Sequence, residues 1–435
     1  MTATAQGLNR SINRLAIPAL GTLAIDPLLT LVDTAFIARL GVNDLAALGV
    51  DTAILGFAFF GFNFLAYATT PLVAQALGRG NEDRARRWVG DALLLAVVLG
   101  VLTLLFLMVA APWLVDVMGA ESEVAESAIS YLRIRALATP AVLLVTAGHG
   151  AFRGYQNTRT PLLVAAVVNG INLVLDPILI FSFGFGLEGA ALATVIAQVI
   201  GAVWFIRLLN KRRMVDRPAD LRKSLPTLIA LGKNGALIAL RTGMILIAFT
   251  FAAATAARIG ATEIAAYQLV MPAWLIAVMV ADAYAIAGQA MVGDAVGDGD
   301  PARIDRLSVR LMQWGLGVGL LLAAGFWFGG RALGLLVDDP AVAALAGSAA
   351  VVAGLMMPYA SPLFVADGIF LGLLALGTII LSTASGAVVA VGLMWLTPLG
   401  DSLDGIWWAL SAMMVVRGLV FVFTYRRAVS TAVRS

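Results

Sequence analysis

The sequence predicts an all-α integral membrane protein with twelve transmembrane helices in two pseudo-symmetric six-helix bundles. Of its 435 residues, 61% are hydrophobic and 13% are charged, whereas soluble domains contain about 25% charged residues. The mean hydropathy is +0.94. Three pairs of segments also repeat at a spacing of half the chain: Gly78–Arg87 with Gly297–Arg306, Ala38–Ala47 with Ala257–Ala266, and His149–Gly154 with Asp367–Gly372.

The apolar stretches set the predicted spans. A helix that crosses the hydrocarbon layer needs about 20 mostly apolar residues. Six segments in each half qualify, namely 15–39, 45–77, 88–112, 124–152, 161–183, 187–210, 227–257, 263–293, 303–328, 342–373, 376–398 and 404–425. We therefore predict an N-terminal lobe at 1–210, a polar cytoplasmic linker at 211–226 and a C-terminal lobe at 227–435. Two related membrane bundles facing each other across a cleft are typical of secondary transporters.

The distribution of charge predicts the orientation. Basic residues gather in the loops on one side of the predicted spans, as in 79–87 and 207–217. The opposite loops carry acids such as Glu121, Glu123 and Asp338. Since short cytoplasmic loops are enriched in Lys and Arg, both termini are predicted to be cytoplasmic. These basic residues form separate short rims, so no nucleic-acid binding is expected despite the net charge of +3.

Several classes of chemistry are excluded. The chain has no Cys and a single His, which rules out thiolate and multi-histidine metal sites. Gly232-Lys233-Asn234 resembles a Walker A motif but lacks the following Ser or Thr. No catalytic Ser or zinc motif occurs either, so we expect no enzyme, no cofactor, and energy from a gradient of H⁺ or Na⁺.

A layer of polar side chains is predicted inside the first lobe. An ionisable group in mid-membrane costs about 2.5–3.5 kcal/mol on insertion scales. At 1.5 Å rise per residue, four side chains from separate helices lie roughly 10 Å below the outer surface: Asp33, Tyr131, Asp176 and Thr194. Asn172 lies one turn deeper on the face of Asp176, and Asn169 continues that stripe.

Two carboxylates in such a layer cannot both ionise cheaply. They can carry a proton, or they can bind Na⁺ together with the oxygens of Asn172 and Thr194. Under the alternative interpretation, Asp33 and Asp176 only satisfy nearby backbone groups, since Asp176 precedes Pro177 and Asp-Pro often begins a turn.

Helix 1 contains two prolines, Pro18 and Pro27, and Asp26 lies on the same face as Asp33. Proline removes a backbone hydrogen bond and permits a bend. The helix is thus a candidate gate that bends when its carboxylates change charge. Equally, the prolines could only curve it.

The second lobe has four polar candidates inside its spans: Arg241, Gln268, Asp282 and Asp367. Arg241 and Asp282 both fall near the bilayer midplane, where they could neutralise one another. Asp51 and Asp91 lie near predicted helix ends, where solvated roles are expected.

Much of the chain resembles the MATE (multidrug and toxic compound extrusion) family, and its prokaryotic DinF-like branch in particular. The combination of Asp33, Asn172, Asp176 and Thr194 is specific to that family. The similar stretches are Leu15–Gly49, Tyr131–Leu144, Phe152–Leu163, Asn169–Phe181, Leu187–Gln198, Tyr267–Gly293 and Val365–Gly372.

The resemblance implies a V-shaped central cleft and H⁺- or Na⁺-coupled export of amphipathic, often cationic compounds. It implies that Asp33 is the coupling residue and acts with Tyr131, Asn172, Asp176 and Thr194. It also implies that Asp26 and His149 line the substrate cavity, to which we assign Asn169 as well. Relatives usually carry neutral amides at those two positions, so the acid and the imidazole favour cationic substrates and H⁺ over Na⁺.

We therefore expect a monomeric antiporter of the bacterial cytoplasmic membrane that exports amphipathic cations by alternating access. Two alternatives remain open. A lipid-linked precursor flippase shares the paired-bundle plan but usually has fourteen helices and a cationic cavity. An integral-membrane enzyme acting on lipids would need a compact cluster of acids or histidines at one interface.

Overall fold

A computed structural model describes residues 5–216 and 221–434 of the chain. All regular structure in these ranges is helical, which confirms the predicted fold class. Within these two ranges, eleven helices are long and apolar enough to cross a membrane, and the count rises to 12 if one bent pair forms a single span. The twelve predicted spans agree with the higher count.

The chain divides into two compact units. The N-terminal unit comprises Gly21–Leu77 and Asn81–Gly235, and the C-terminal unit comprises residues up to Leu20, Gly78–Gly80 and the chain from Ala236 onward. These units differ from the predicted lobes, because the first turns of helix 1 group with the C-terminal half. The lobe bounds 1–210 and 227–435 stay a prediction.

Eight helices cover the chain up to Lys211. In order, these are α1 Ala5–Ile37, α2 Val42–Phe60, α3 Phe64–Gly78, α4 Glu82–Val117, α5 Ser122–Ala136, α6 Thr139–Gly154, α7 Arg159–Pro177 and α8 Gly186–Lys211. Short 3₁₀ and π turns follow α2 and α7, at Gly61–Asn63 and Ile178–Ser182.

Six further helices follow up to Arg434, and each of these six is long enough to span a bilayer. They are α9 Leu221–Ile259, α10 Ala261–Asp298, α11 Pro301–Leu333, α12 Pro340–Gly372, α13 Leu376–Leu396 and α14 Leu403–Arg434. Because α9 begins at Leu221, the end of the predicted linker 211–226 is helical. Residues 217–220 of that linker lie outside the described residues.

The span predicted at 124–152 is bent. Helices α5 and α6 meet at an angle of 49°, and Pro140 occupies the first turn of α6. Proline has no N–H and disfavours helical geometry in the residue before it, which favours a bend at this point. The bend separates the polar α5 from the apolar α6.

Small residues and aromatic rings pack the two interiors. In the N-terminal unit, a Cβ on Gly100 would lie 2.5 Å from the Cα of Pro140, so α4 and α6 approach to backbone contact. In the C-terminal unit, Trp274 packs 5.8 Å from Trp407 and 6.4 Å from Phe364, measured between ring centroids. Small residues at helix crossings are typical of membrane bundles.

Candidate functional site

The carboxyl groups of Asp33 on α1 and Asp176 on α7 lie within hydrogen-bonding distance of one another in the N-terminal unit. Nδ2 of Asn172 donates to Oδ1 of Asp176 at 3.0 Å and to Oγ1 of Thr194 at 3.5 Å. Asp176 is 1% exposed and Asn172 is 2% exposed. Side chains predicted from depth alone thus form one connected group, in which we call Asp33 and Asp176 the acid pair.

Local sequence explains how α7 presents these groups. Asn172 and Asp176 are four residues apart, so both project from one face of the helix. Pro177 then removes the N–H that would have bonded the carbonyl of Leu173, and the chain continues as the π turn Ile178–Ser182. The aspartate therefore sits at the point where the regular helix ends.

The acid pair is incompletely satisfied. Oδ1 of Asp33 and Oδ2 of Asp176 are both buried and have no hydrogen-bond partner. Burying an ionised carboxylate oxygen without a hydrogen-bond donor costs several kcal/mol of folding free energy. If both carboxyl groups were ionised, their negative charges would also repel one another. The arrangement can be relieved by a proton or a metal cation placed between them.

Helix α5 brings an aromatic and a cationic residue to the same place. Tyr131 and Arg135 lie one turn apart and line the same cavity as Asp33. Arg135 acts electrostatically on both members of the acid pair, and its Nε and Nη1 are buried without a partner. Arg135 was not among the predicted site residues, although its i+4 spacing from Tyr131 could have revealed it.

Asp51 on α2 contradicts the expectation of a solvated role. Its side chain is 0% exposed, and neither carboxyl oxygen has a hydrogen-bond partner. Asp91 is also buried, at 7% exposed, and is bonded by the hydroxyls of Ser224 and Thr227. Both predictions were wrong because distance from a helix end gives depth, whereas burial depends on which face the residue occupies.

A cavity of about 280 Å³ adjoins the acid pair. It is lined by Asp26, Asp33, Asn169, Asn172 and Thr194 together with the two α5 residues above. Nδ2 of Asn169 donates to Oδ1 of Asp26 at 3.0 Å. The predicted cavity residues Asp26 and Asn169 therefore share one space with four of the predicted ion-coupling residues, Asp33, Tyr131, Asn172 and Thr194.

His149 does not line this cavity. Its ring packs edge-on against Phe205, with 5.3 Å between the centroids, and Nε2 is buried without a hydrogen-bond partner. Its assignment to the substrate cavity stays a prediction.

Helix α1 is continuous through both prolines, from Ala5 to Ile37. Just beyond Pro27, the hydroxyl of Thr30 donates to the carbonyl of Asp26 at 3.0 Å, and that of Thr34 donates to the carbonyl of Thr30 at 2.7 Å. Such side-chain bonds to the preceding turn often accompany helix bending. The predicted change of shape at Pro18 and Pro27 stays a prediction.

A second buried charge group lies in the C-terminal unit. Nη2 of Arg241 and Nη2 of Arg417 both donate to Oδ2 of Asp367, at 2.5 and 2.6 Å. The side chains of Arg417, Asp367 and Arg241 are 0%, 5% and 15% exposed. We call these three residues the ion-pair cluster.

The ion-pair cluster adds partners to those that the sequence predicted. The structure gives Arg241 a bond to Asp367, and the predicted pairing of Arg241 with Asp282 stays a prediction. Asp282 does act electrostatically on Arg417, and Gln268 is exposed. Arg417 was missed as a candidate because it lies on α14, far along the chain from its partners.

The sequence is similar to that of known membrane proteins over most of its length. A model of the MatE family matches residues 18–178 and 238–396, one segment in each half, in agreement with the internal repeat. The chain is similar to Protein DETOXIFICATION 44, chloroplastic, of Arabidopsis thaliana, with 32% identity over 94% of this chain and 81% of that protein. It is also similar to DNA damage-inducible protein F of Escherichia coli (strain K12), with 29% identity over 96% and 92%.

Among solved structures, the chain is similar to the Vibrio cholerae MATE transporter VcmN in its bent form. The TM-score is 0.91, the identity is 22%, and 98% of each chain is covered. At this identity the match supports the fold alone.

Proposed function

Since the chain belongs to the MatE family and is a multi-pass membrane transporter, not an enzyme, we propose that it exports amphipathic cations in exchange for inward H⁺. Export would proceed by alternating access across the bacterial cytoplasmic membrane, with both termini inside. The asymmetric Lys and Arg loops support this orientation. Assignment to the DinF-like branch is supported by the E. coli relative, which this chain matches over 92% of its length.

The acid pair is the observation that carries the proposal. Two carboxyl groups can hydrogen-bond to one another only when one of them holds a proton. Their contact on separate helices therefore couples protonation to the packing of α1 against α7. Loss of the proton would leave two like charges in contact, which favours movement of one helix away from the other.

The orientation of Asn172 favours H⁺ over Na⁺. Its amide nitrogen faces Asp176 and Thr194, so it presents N–H donors to the acid pair. A sodium ion would need oxygen ligands at this place. In addition, the guanidinium of Arg135 opposes a second fixed cation nearby. A proton on one carboxyl oxygen needs no coordination shell and fits this set of donors.

Asp26 supports a cationic substrate. It is exposed to the cavity, and the partner that the structure gives its carboxyl group is the neutral amide of Asn169. A carboxylate paired with a neutral group keeps its negative charge available to a ligand cation. Because Asp26 and Asp33 share the cavity, a cationic substrate and the proton would compete, as antiport requires.

A gradient-exchange assay tests this proposal. Purified protein in liposomes loaded with ethidium is expected to release the dye when a pH gradient is imposed, with the acidic side opposite the dye. The same protein should release no dye above the protein-free background under a sodium gradient at equal pH. Dye movement driven by sodium alone, and abolished by a sodium ionophore, would contradict proton coupling.

A further inference from the structure

Asp51 stands apart from the acid pair and has no role in the proposed function. It lies on α2 among the buried apolar residues Ala47, Ile54 and Leu55. Its side chain is 0% exposed, and both carboxyl oxygens lack a hydrogen-bond partner. An ionised carboxylate in such surroundings costs several kcal/mol, which the acid form avoids.

The charged group that acts on Asp51 is Arg135 of α5. Tyr131 of the same helix lies within electrostatic range too. Helix α4 also packs against α2, but among the described residues it brings no charged side chain within range of Asp51. Arg135 thus acts electrostatically on all three carboxyl groups, Asp51 and the two of the acid pair.

Arg135 has buried donors without acceptors, and Asp51 has buried acceptors without donors. Nε and Nη1 of Arg135 are buried without acceptors, while both oxygens of Asp51 are buried without donors. A guanidinium presents adjacent N–H groups that suit the two oxygens of a carboxylate. Closing that pair requires an ionised Asp51 and a turn of the arginine side chain toward it.

We propose that Asp51 is a second proton-binding site, from which a proton is exchanged for an ion pair with Arg135. In the described conformation the proton is bonded to an oxygen of Asp51. In the alternate conformation that O–H bond breaks, the proton is released to water, and the carboxylate pairs with Arg135. Charge is conserved, since the proton leaves as the ion pair forms.

This inference rests on the proposed function and extends it. If the acid pair carries one proton and Asp51 another, two protons accompany each exported molecule. When the guanidinium of Arg135 turns toward Asp51, its positive charge moves away from the acid pair. Protonation at one site would therefore affect protonation at the other. The ligand of the new site is H⁺ alone.

The limiting dye gradient measures this stoichiometry. Full-length protein in liposomes, with the membrane potential clamped at zero, is compared with Asp51→Asn under a fixed tenfold proton gradient. The limiting ethidium ratio is expected to fall about tenfold in Asp51→Asn, because each coupled proton contributes one factor of the gradient. Asp91→Asn is the matched control, since Asp91 is equally a buried aspartate but is bonded by hydroxyls, and it should keep the wild-type ratio.

Infrared difference spectra between acidic and alkaline pH provide a readout that does not need transport. Asp51→Asn should lose one component of the carbonyl band of buried protonated carboxyl groups. Arg135→Gln should keep that component to higher pH, because the ion pair that replaces the proton cannot form. An unchanged band in Asp51→Asn, or an unchanged limiting ratio, overturns this inference.

Different results would contradict the proposed role of the acid pair and the proposed proton site at Asp51. If Asp33→Asn transports like the wild type, the role of the acid pair is lost. If Asp33→Asn is inactive while Asp51→Asn keeps both the wild-type ratio and the wild-type band, only the second proton site is lost.

Discussion

Asp33→Asn is expected to reduce proton-driven ethidium release to the level of protein-free liposomes. Asparagine keeps the shape of aspartate and its hydrogen-bonding reach to Asp176, but it cannot bind and release a proton. With one carboxyl group left, protonation would no longer relieve a repulsion between α1 and α7. The substitution removes the coupling step and leaves the surrounding packing intact.

The control for this experiment is Asp116→Asn, an exposed aspartate near the end of α4 in the same unit. It should transport like the wild type. Ethidium binding to purified Asp33→Asn should persist, which would separate lost coupling from lost folding. Wild-type transport and coupling in Asp33→Asn would contradict the assignment of the site.

The second large effect is expected at the ion-pair cluster. Asp367→Asn leaves the guanidiniums of Arg241 and Arg417 without the carboxylate that bonds both of them. Removing one partner of a buried ion pair costs roughly 3–5 kcal/mol, because the remaining charge stays desolvated. The purified variant should therefore unfold at a clearly lower temperature than the wild type.

Two further variants make this test specific. Asp401→Asn changes an exposed aspartate in the turn before α14 and should leave the unfolding temperature unchanged. Adding Arg417→Met to Asp367→Asn removes one uncompensated charge and should recover part of the loss. Unfolding of Asp367→Asn at the wild-type temperature would show that the cluster is not a source of stability.

The membrane spans and the acid pair could be predicted from the sequence for a simple geometric reason. The length of an apolar run gives the number of crossings, and the fixed rise of a helix gives the depth of each polar residue. Asp33 and Asp176 share a depth, and Asn172 shares a face with Asp176. Depth and face together were enough to predict that they meet.

The depth of a residue in the membrane does not predict how its helix is rotated about its own axis. Asp51 lies near the start of the predicted span 45–77, which suggested contact with water, yet it is at the middle of α2 and its side chain is buried. Arg135 follows Tyr131 at i+4, which places it on the same helix face, but its effect on the acids depends on how that face packs. In both cases the deciding information is which neighbour each helix face meets.

Partner choice in the C-terminal unit shows the same limit. Arg241 donates to Asp367, and Arg417 on α14 completes the cluster, neither of which depth alone predicted. Three helices distant in sequence must be placed before these bonds can be assigned. A single proline had a similar effect on α5 and α6, where Pro140 divides one predicted span into two helices.

Proton release on ligand binding tests the central claim most directly. Ethidium is added to purified protein in weakly buffered solution, and the protons released per molecule are counted with a pH indicator. Binding and protonation must affect each other equally, so the wild type should release protons. The double variant Asp33→Asn, Asp176→Asn should bind the dye and release about one proton fewer per molecule, because the two carboxyl groups share one. Equal release from both proteins would contradict exchange at this site.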